Sequence, residues 1–137
     1  LAKTGEEYGV CLVIEEASKH TTNTVYSTPL TRKMLDEVDS PCLKAMLDNC
    51  ATETAGEDFR ACVELLGKDF RHMHFADGTP GGHFIPGEGK LPLLQYLQIL
   101  GEYGYEGAIT FELYNKQYEM NPHEYMQKCF EYIRQVL

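Results

Sequence analysis

The chain is poor in basic residues, with 12 Lys and Arg against 21 Asp and Glu, which gives a net charge of −9 at pH 7. Nowhere do Lys and Arg gather into a cluster that would offset this charge. An acidic surface of this kind repels phosphate backbones and anionic lipid headgroups. The composition therefore argues against nucleic acid and membranes as partners, and it favours small neutral substrates and metal cations.

Long apolar runs and paired cysteine motifs are also absent from the sequence. No apolar stretch approaches the roughly 20 residues that span a bilayer, and none has the form of a signal-peptide core. The five cysteines are odd in number and show neither a CxxC motif nor a zinc-binding Cys/His spacing. Because free thiols persist in reducing compartments, we expect a cytoplasmic protein whose cysteines are free.

Four short apolar runs each carry a metal-binding type of side chain at or just past their ends, and segments of helical periodicity separate them. The runs are 10–15 with Glu15, 45–48 with Asp48, 72–77 with a histidine and Asp77, and 108–112 with Glu112. This alternation predicts an α/β fold with a parallel sheet whose strand ends gather on one face. Two Glu, one Asp and one His meeting there would form an oxygen-rich site for a divalent cation.

Length and periodicity predict one domain with one core, because a chain of 137 residues buries about two-thirds of its unfolded surface. Apolar residues at helical spacing, bounded by Ser, Asp, Asn, Pro and Gly, predict helices. The predicted helices are 2–8, 28–38, 56–66, 91–103 and 122–137. The expected inward-facing residues include Val38, Leu94, Phe130 and Leu137. We expect long loops after the strands, at 16–26, 49–55, 76–89 and 113–121, on the face where α/β barrels place their binding sites.

A series of short motifs also runs through the chain in a fixed order. They are Ile14-Glu15, Met46-Leu47-Asp48, His72-Met73-His74-Phe75-Ala76-Asp77, Gly87-Glu88-Gly89, Leu100-Gly101-Glu102-Tyr103-Gly104-Tyr105-Glu106-Gly107 and Thr110-Phe111-Glu112. Together they resemble the carboxyl half of the sugar phosphate isomerase/epimerase family, which has the xylose isomerase-like TIM barrel. The ordered series Glu, Asp, His, Glu is the most specific part of the resemblance.

The resemblance implies that residues 1–137 supply strands five to eight of a (β/α)₈ barrel. A complete barrel needs about 250 residues, and the chain begins at Leu1 in what looks like the end of a helix, so we expect an N-terminal portion to be missing. An isolated half would leave two sheet edges and an apolar face open. We therefore expect a partner, which would be a complementary N-terminal half-barrel or a second copy of this chain.

Position by position, the resemblance implies a divalent metal such as manganese, magnesium, cobalt or zinc, bound by Glu15, Asp48, His74 and Glu112. The two glutamates would also be catalytic, as an acid/base pair on opposite faces of a sugar substrate. The implied reaction is the epimerisation or isomerisation of a ketose through a metal-stabilised cis-enediolate. His83 and His72 are the candidates for binding the substrate.

Structural explanations stand beside these roles. The two glutamates could form salt bridges or loop caps, Asp48 could cap the following turn, and His83 could be a solvated loop histidine. Asp77 could orient the metal-binding histidine or form a turn before Gly78. Glu16 is expected to point to the opposite side of the strand from Glu15.

Two further expectations concern the histidine pair and the substrate. One of His72 and His74 is expected to face the helices, and the family pattern favours His74 as the ligand. Many sugar 3-epimerases have a His at the position of Ala51, an Arg at that of Pro80 and a Glu near that of Thr21. Because of these departures, the sequence indicates the metal site better than it indicates the identity of the substrate. Loop 77–89, with its His83, could supply side chains that replace the missing substrate contacts.

Three functions are consistent with the sequence. The preferred one is a metal-dependent sugar epimerase or isomerase. A second is a phosphodiesterase of the AP endonuclease type, which would need more metal ligands and a basic surface. A third is a noncatalytic half-barrel whose role is to associate with another chain.

Overall fold

The fold is that of a computed structural model, which describes residues 1–79 and 81–136. Pro80 and Leu137, the latter expected on the inward face of the last helix, lie outside the described residues. Four strands form one sheet in chain order, and all neighbouring pairs are parallel. They are β1 (Leu12–Glu15), β2 (Leu43–Asp48), β3 (Phe70–Phe75) and β4 (Ala108–Phe111). The predicted parallel α/β sheet is therefore confirmed.

Helices precede, connect and follow the strands. They are α1 (Ala2–Tyr8), α2 (Thr28–Val38), α3 (Asn49–Ala55), α4 (Phe59–Leu66), α5 (Leu93–Glu102), α6 (Lys116–Glu119) and α7 (Pro122–Val136). The helices predicted from periodicity are all present, and their ends differ from the prediction by three residues at most. A short 3-10 turn, Gly67–Asp69, leads into β3.

Two segments that we expected to be loops contain helices. Helix α3 starts directly after β2 because the Asp48 carboxylate accepts hydrogen bonds from the backbone N–H groups of Cys50 and Ala51, at 2.7 and 3.2 Å. Helix α6 starts in the same way, since Asn115 accepts a hydrogen bond from the N–H of Gln117. The expectation of loops throughout 49–55 and 113–121 is wrong because these caps start helices too short to show a clear apolar period.

The hydrophobic core lies between the sheet and helices α2, α4 and α5. Its buried members are Leu35, Ala45, Leu47, Phe59, Cys62, Val63, Leu66, Phe70, Met73, Phe75, Leu93, Tyr96, Ile99 and Leu100. Three expected core residues, Val38, Leu94 and Phe130, are 43–51% exposed. In α5 the predicted inward residues Ile99 and Leu100 are buried, whereas in the first turn Leu93 and not Leu94 packs on the core.

The opposite face of the sheet and its β4 edge are open. Val13 on β1, on the side away from the helices, is 39% exposed, and Ile109 on the edge strand β4 is 41% exposed. Open edge strands with exposed apolar side chains are expected of a sheet that another element completes. All five cysteines are free, as predicted. Within residues 1–79 and 81–136, no helix is long and apolar enough to cross a membrane.

Candidate metal centre

The carboxyl ends of the four strands bring together four side chains that can bind a metal. Glu15 ends β1, Asp48 ends β2, His74 lies near the end of β3 and Glu112 directly follows β4. One ligand atom from each residue lies within 4.8 Å of those of the other three. We call these four residues the ligand cluster. They are the four that the sequence predicts as metal ligands, and that role itself stays a prediction.

The strand register explains why the four side chains share one side of the sheet. Glu15 pairs with Met46, two residues before Asp48, and Asp48 pairs with His74. His74 in turn pairs with Thr110, two residues before Glu112. Because neighbouring residues in register point the same way and side chains alternate along a strand, all four functional groups project to the same side.

His74 lies between the two glutamates of the cluster. Its Nδ1 is 3.1 Å from Oε1 of Glu15 and 3.2 Å from Oε2 of Glu112. The two carboxylates are 45% and 41% exposed, so both remain accessible from the open side of the sheet. One imidazole thus bridges the two residues for which the sequence predicts catalytic roles.

His72 shares the inner side of the sheet with His74, so the expectation that one of the pair faces the helices is wrong. Residues two apart on a strand point the same way, and it is Met73 between them that is fully buried in the core. The two imidazole rings meet edge to face with their centroids 5.3 Å apart. Burial, and then the nearby His74, lower the pKa of His72. His72 therefore lies beside the ligand cluster in surroundings that favour the uncharged imidazole.

His83 reaches the cluster from the long loop after β3. Its Nε2 is 2.7 Å from Oδ2 of Asp48 and 3.0 Å from Oε2 of Glu112. The hydrogen bond to Asp48 raises the pKa of His83, against the effect of burial. For Asp48, burial favours a higher pKa, but the contact with His83 and the two backbone N–H groups lower it overall. A residue proposed for substrate binding therefore touches two of the predicted ligands.

The Asp48 carboxylate performs two tasks at once. Its Oδ1 caps α3, while its Oδ2 faces His83 and the rest of the cluster. The capping role and the metal-binding role that the sequence left open are therefore compatible. The cap also fixes the orientation of the carboxylate, and Asp48 as a whole is only 4% exposed.

Asp77 organises the loop that carries His83. Its carboxylate accepts hydrogen bonds from the backbone N–H groups of Gly78, Gly87 and Leu91, at 2.8, 2.9 and 3.0 Å. A turn-forming role, one of the two explanations open from the sequence, accounts for these contacts. Gly89 passes so close that a Cβ at this position would collide with the Asp77 carboxylate. The motif Gly87-Glu88-Gly89 is therefore explained by close packing around one buried carboxylate.

Asn49 is a residue whose importance the sequence did not reveal. It is fully buried, its amide nitrogen donates to the carbonyl oxygen of Ala76 at 2.7 Å, and its amide oxygen accepts from the Ala76 N–H at 2.9 Å. These two bonds join the segments just beyond β2 and β3, where Asp48 and His74 lie. The only available signal was a polar residue directly after the strand-ending Asp48.

Glu16 points away from the cluster, as expected. Its carboxylate is 2% exposed and accepts a hydrogen bond from the Thr28 hydroxyl at 2.9 Å. Burial, followed by the neighbouring Glu57 carboxyl, raises the pKa of Glu16 to about 8. Glu16 therefore belongs to the packing between β1 and α2.

The chemistry of the ligand cluster fits a divalent cation. Three carboxylates with oxygens no more than 4.8 Å apart repel one another. The repulsion for one pair at this distance is about 1 kcal/mol in water and about 3.5 kcal/mol at an effective dielectric constant of 20. Oxygen ligands with one imidazole suit magnesium, manganese, cobalt or zinc. A divalent ion would remove the repulsion and use all four side chains.

Comparison with known proteins gives one consistent result for the whole chain. Residues 1–136 match the family model described as the xylose isomerase-like TIM barrel. The chain is 33% identical to fructoselysine 3-epimerase from Escherichia coli O157:H7, an alignment that covers 100% of this chain and 50% of that protein. It is 26% identical to inosose dehydratase from Mesomycoplasma hyopneumoniae strain 7448, over 98% of this chain and 51% of that protein.

Solved structures agree on the fold. A D-allulose 3-epimerase from Methylomonas sp. superposes with a TM-score of 0.85 at 19% identity, covering 99% of this chain and 51% of that one. A 3-keto-D-glucoside 4-epimerase from E. coli superposes with a TM-score of 0.81 at 14% identity, covering 98% and 49%. The chain spans about half the length of the curated relatives and structures that it matches. Its four-stranded sheet therefore corresponds to half of a TIM barrel.

Proposed function

Because the chain belongs to the xylose isomerase-like TIM-barrel family, we propose that it forms the metal-binding and catalytic half of a sugar epimerase. The observation that carries this proposal is the ligand cluster itself, in which Glu15 and Glu112 flank one imidazole among four metal-binding side chains. The 33% identity to a fructoselysine 3-epimerase supports a ketose as the substrate and C3 as the reacting carbon.

The reaction proposed for these residues is proton exchange at the carbon next to a ketone. A divalent cation bound by the ligand cluster would polarise the ketone oxygen and the neighbouring hydroxyl oxygen, which acidifies the C–H bond of the hydroxyl-bearing carbon. One glutamate accepts this proton as a carboxylate, and the other donates a proton to the opposite face of the same carbon. Both carboxylates contact the same Nδ1 atom of His74, which keeps them close to one another. His83 is the proposed contact for a substrate oxygen.

The rest of the barrel is part of the proposal. The exposed inner face and the open β4 edge need further strands, and the structural relatives contain about twice the length of this chain. These strands would come from more of the same polypeptide, from a separate complementary half, or from a second copy. All four predicted ligands lie on this chain, so metal binding does not require residues from the other half.

The other two functions have less support. A phosphodiesterase acting on nucleic acid would work against a net charge of −9. A noncatalytic association subunit would have no need of three carboxylates that repel one another at the strand ends. Both remain distinguishable from an epimerase by experiment.

Solvent deuterium incorporation tests the proposal. The complete protein with added Mn²⁺ would be incubated in D₂O with fructoselysine, D-fructose or D-psicose, and the C3 position followed by NMR. We expect deuterium at C3 and formation of the 3-epimer, with loss of both in Glu15→Gln and in Glu112→Gln. Glu131→Gln, an exposed change on α7, is the control. Exchange that persists in both site variants would remove these glutamates from the mechanism, and loss of water from the sugar would indicate a dehydratase instead.

A further inference from the structure

A separate pocket of about 220 Å³ lies beside the ligand cluster. Its walls come from the loop after β1, the first residues of α2 and the outer side of α3. The charged residues that line it are Lys19 and Glu57, and His20, Tyr26 and Ala51 contribute to its walls. None of these residues belongs to the ligand cluster, so the proposed chemistry leaves the pocket without a role.

The pocket adjoins the predicted metal ligands directly. Ala51 lines it, and the backbone N–H of the same residue donates to Oδ1 of Asp48 at 3.2 Å. Ser18, also in its wall, lies three residues after Glu15 in the chain. Ala51 therefore belongs both to the wall of the pocket and to the cap made by Asp48, which makes the pocket a direct neighbour of the cluster.

The pocket presents charges of both signs. The Glu57 carboxylate is fixed, since both of its oxygens lie 3.2 Å from the backbone N–H of Thr28 at the start of α2. Lys19, exposed on the loop after β1, lines the same pocket and carries an ammonium group. Ser27 and Thr54 also line the pocket. A zwitterion, which carries an ammonium and a carboxylate on one carbon, matches this arrangement.

The size of the pocket suits such a group. A space of about 220 Å³ holds several water molecules, which an amino-acid head group with part of its side chain would displace. An unsubstituted hexose held at the cluster would leave the pocket to water.

We propose that this pocket binds the amino-acid tail of a substituted ketose, with its ammonium at Glu57 and its carboxylate at Lys19. The inference rests on the proposed epimerase function, because the sugar part of the same molecule would occupy the ligand cluster. Residues outside the metal centre would then select ketoses conjugated to amino acids over free ketoses.

The test compares fructoselysine with D-fructose in the complete protein loaded with Mn²⁺, by calorimetric binding and by deuterium exchange at C3. We expect fructoselysine to bind at least tenfold more tightly than D-fructose. Lys19→Met, and separately Ala51→Phe, which fills the pocket, should each reduce this preference at least tenfold. Lys3→Met, on the exposed surface of α1, is the matched control and should leave the preference unchanged.

The two measurements separate the pocket from the reaction. Equal affinity for the two sugars, or a preference that survives both pocket variants, would overturn the pocket proposal, even if C3 exchange occurs with both sugars. Absence of C3 exchange with either sugar would contradict the epimerase, whereas a preference lost in Lys19→Met and Ala51→Phe would still support tail binding in this pocket.

Discussion

Replacing Gly89 by Ala tests whether the Asp77 carboxylate holds the loop that carries His83. The new Cβ would collide with this carboxylate and with the backbone nitrogen of Gly78, neither of which is the end of a long flexible side chain. The carboxylate would then lose one or two of its three backbone hydrogen bonds. A hydrogen bond to a charged group contributes about 1.5–3 kcal/mol, so the loss of one or two such bonds should cost about 1.5–6 kcal/mol.

Gly101→Ala is the matched control for this change. Gly101 lies near the end of α5, and a Cβ there would meet nothing within 4 Å. Alanine is favoured over glycine in a helix by about 0.5–1 kcal/mol, so the control should be neutral or slightly stabilising. Urea denaturation of both variants gives the two free energies of unfolding. Similar small changes in both proteins would refute the inference that Asp77 organises the loop.

Three further predictions concern separate parts of the structure. Asn49→Leu leaves the buried N–H of Ala76 without a partner and its C=O with only the weak thiol donor of Cys50, and should cost about 2–4 kcal/mol in urea denaturation; a cost below about 1 kcal/mol would contradict the role given to this amide. Burial favours a higher pKa for Asp69, but hydrogen bonds from two basic side chains lower it overall. The stability that the charged Asp69 carboxylate contributes is therefore fully present above the unfolded-state pKa. This contribution is lost as the pH falls through the lower folded-state pKa. Asp69→Asn should destabilise the protein by about 1–3 kcal/mol at pH 7 and by less below about pH 3, and an equal loss at both pH values would be inconsistent with this linkage. His83→Asn should raise KM for the ketose about tenfold with one metal ion still bound, and an unchanged KM would remove His83 from substrate binding.

The sequence predicts the sheet and the positions of the ligand cluster because both follow from short-range patterns. Apolar runs ending in Glu15, Asp48 and Glu112 define strands, and parallel strands bring their carboxyl ends to one face. The helices with a clear apolar period, such as α4, are also predicted well. The sequence predicts their inward faces less accurately, because contact with the sheet determines which side chains are buried, as the exposure of Leu94 demonstrates.

Contacts between distant residues could not be predicted from the sequence. The position of His83 depends on a loop that closes around Asp77, and the Asn49 amide meets Ala76 only after β2 and β3 have paired. Helix α3 was missed because its start depends on the Asp48 carboxylate, which the sequence could assign to metal binding or to a cap. The structure assigns one oxygen to the cap and leaves the other facing the cluster.

Calorimetric titration with Mn²⁺ tests the central claim most directly, in the wild-type protein and in Asp48→Asn. The asparagine retains a side-chain oxygen that can cap α3, so the fold should persist, and circular dichroism would verify this. We predict one Mn²⁺ per chain in the wild type and an affinity at least about 100-fold lower in the variant, because a charged oxygen ligand is lost. A wild-type protein that binds no divalent ion, or a folded variant that binds Mn²⁺ as tightly as the wild type, would contradict the assignment of this cluster as a metal centre.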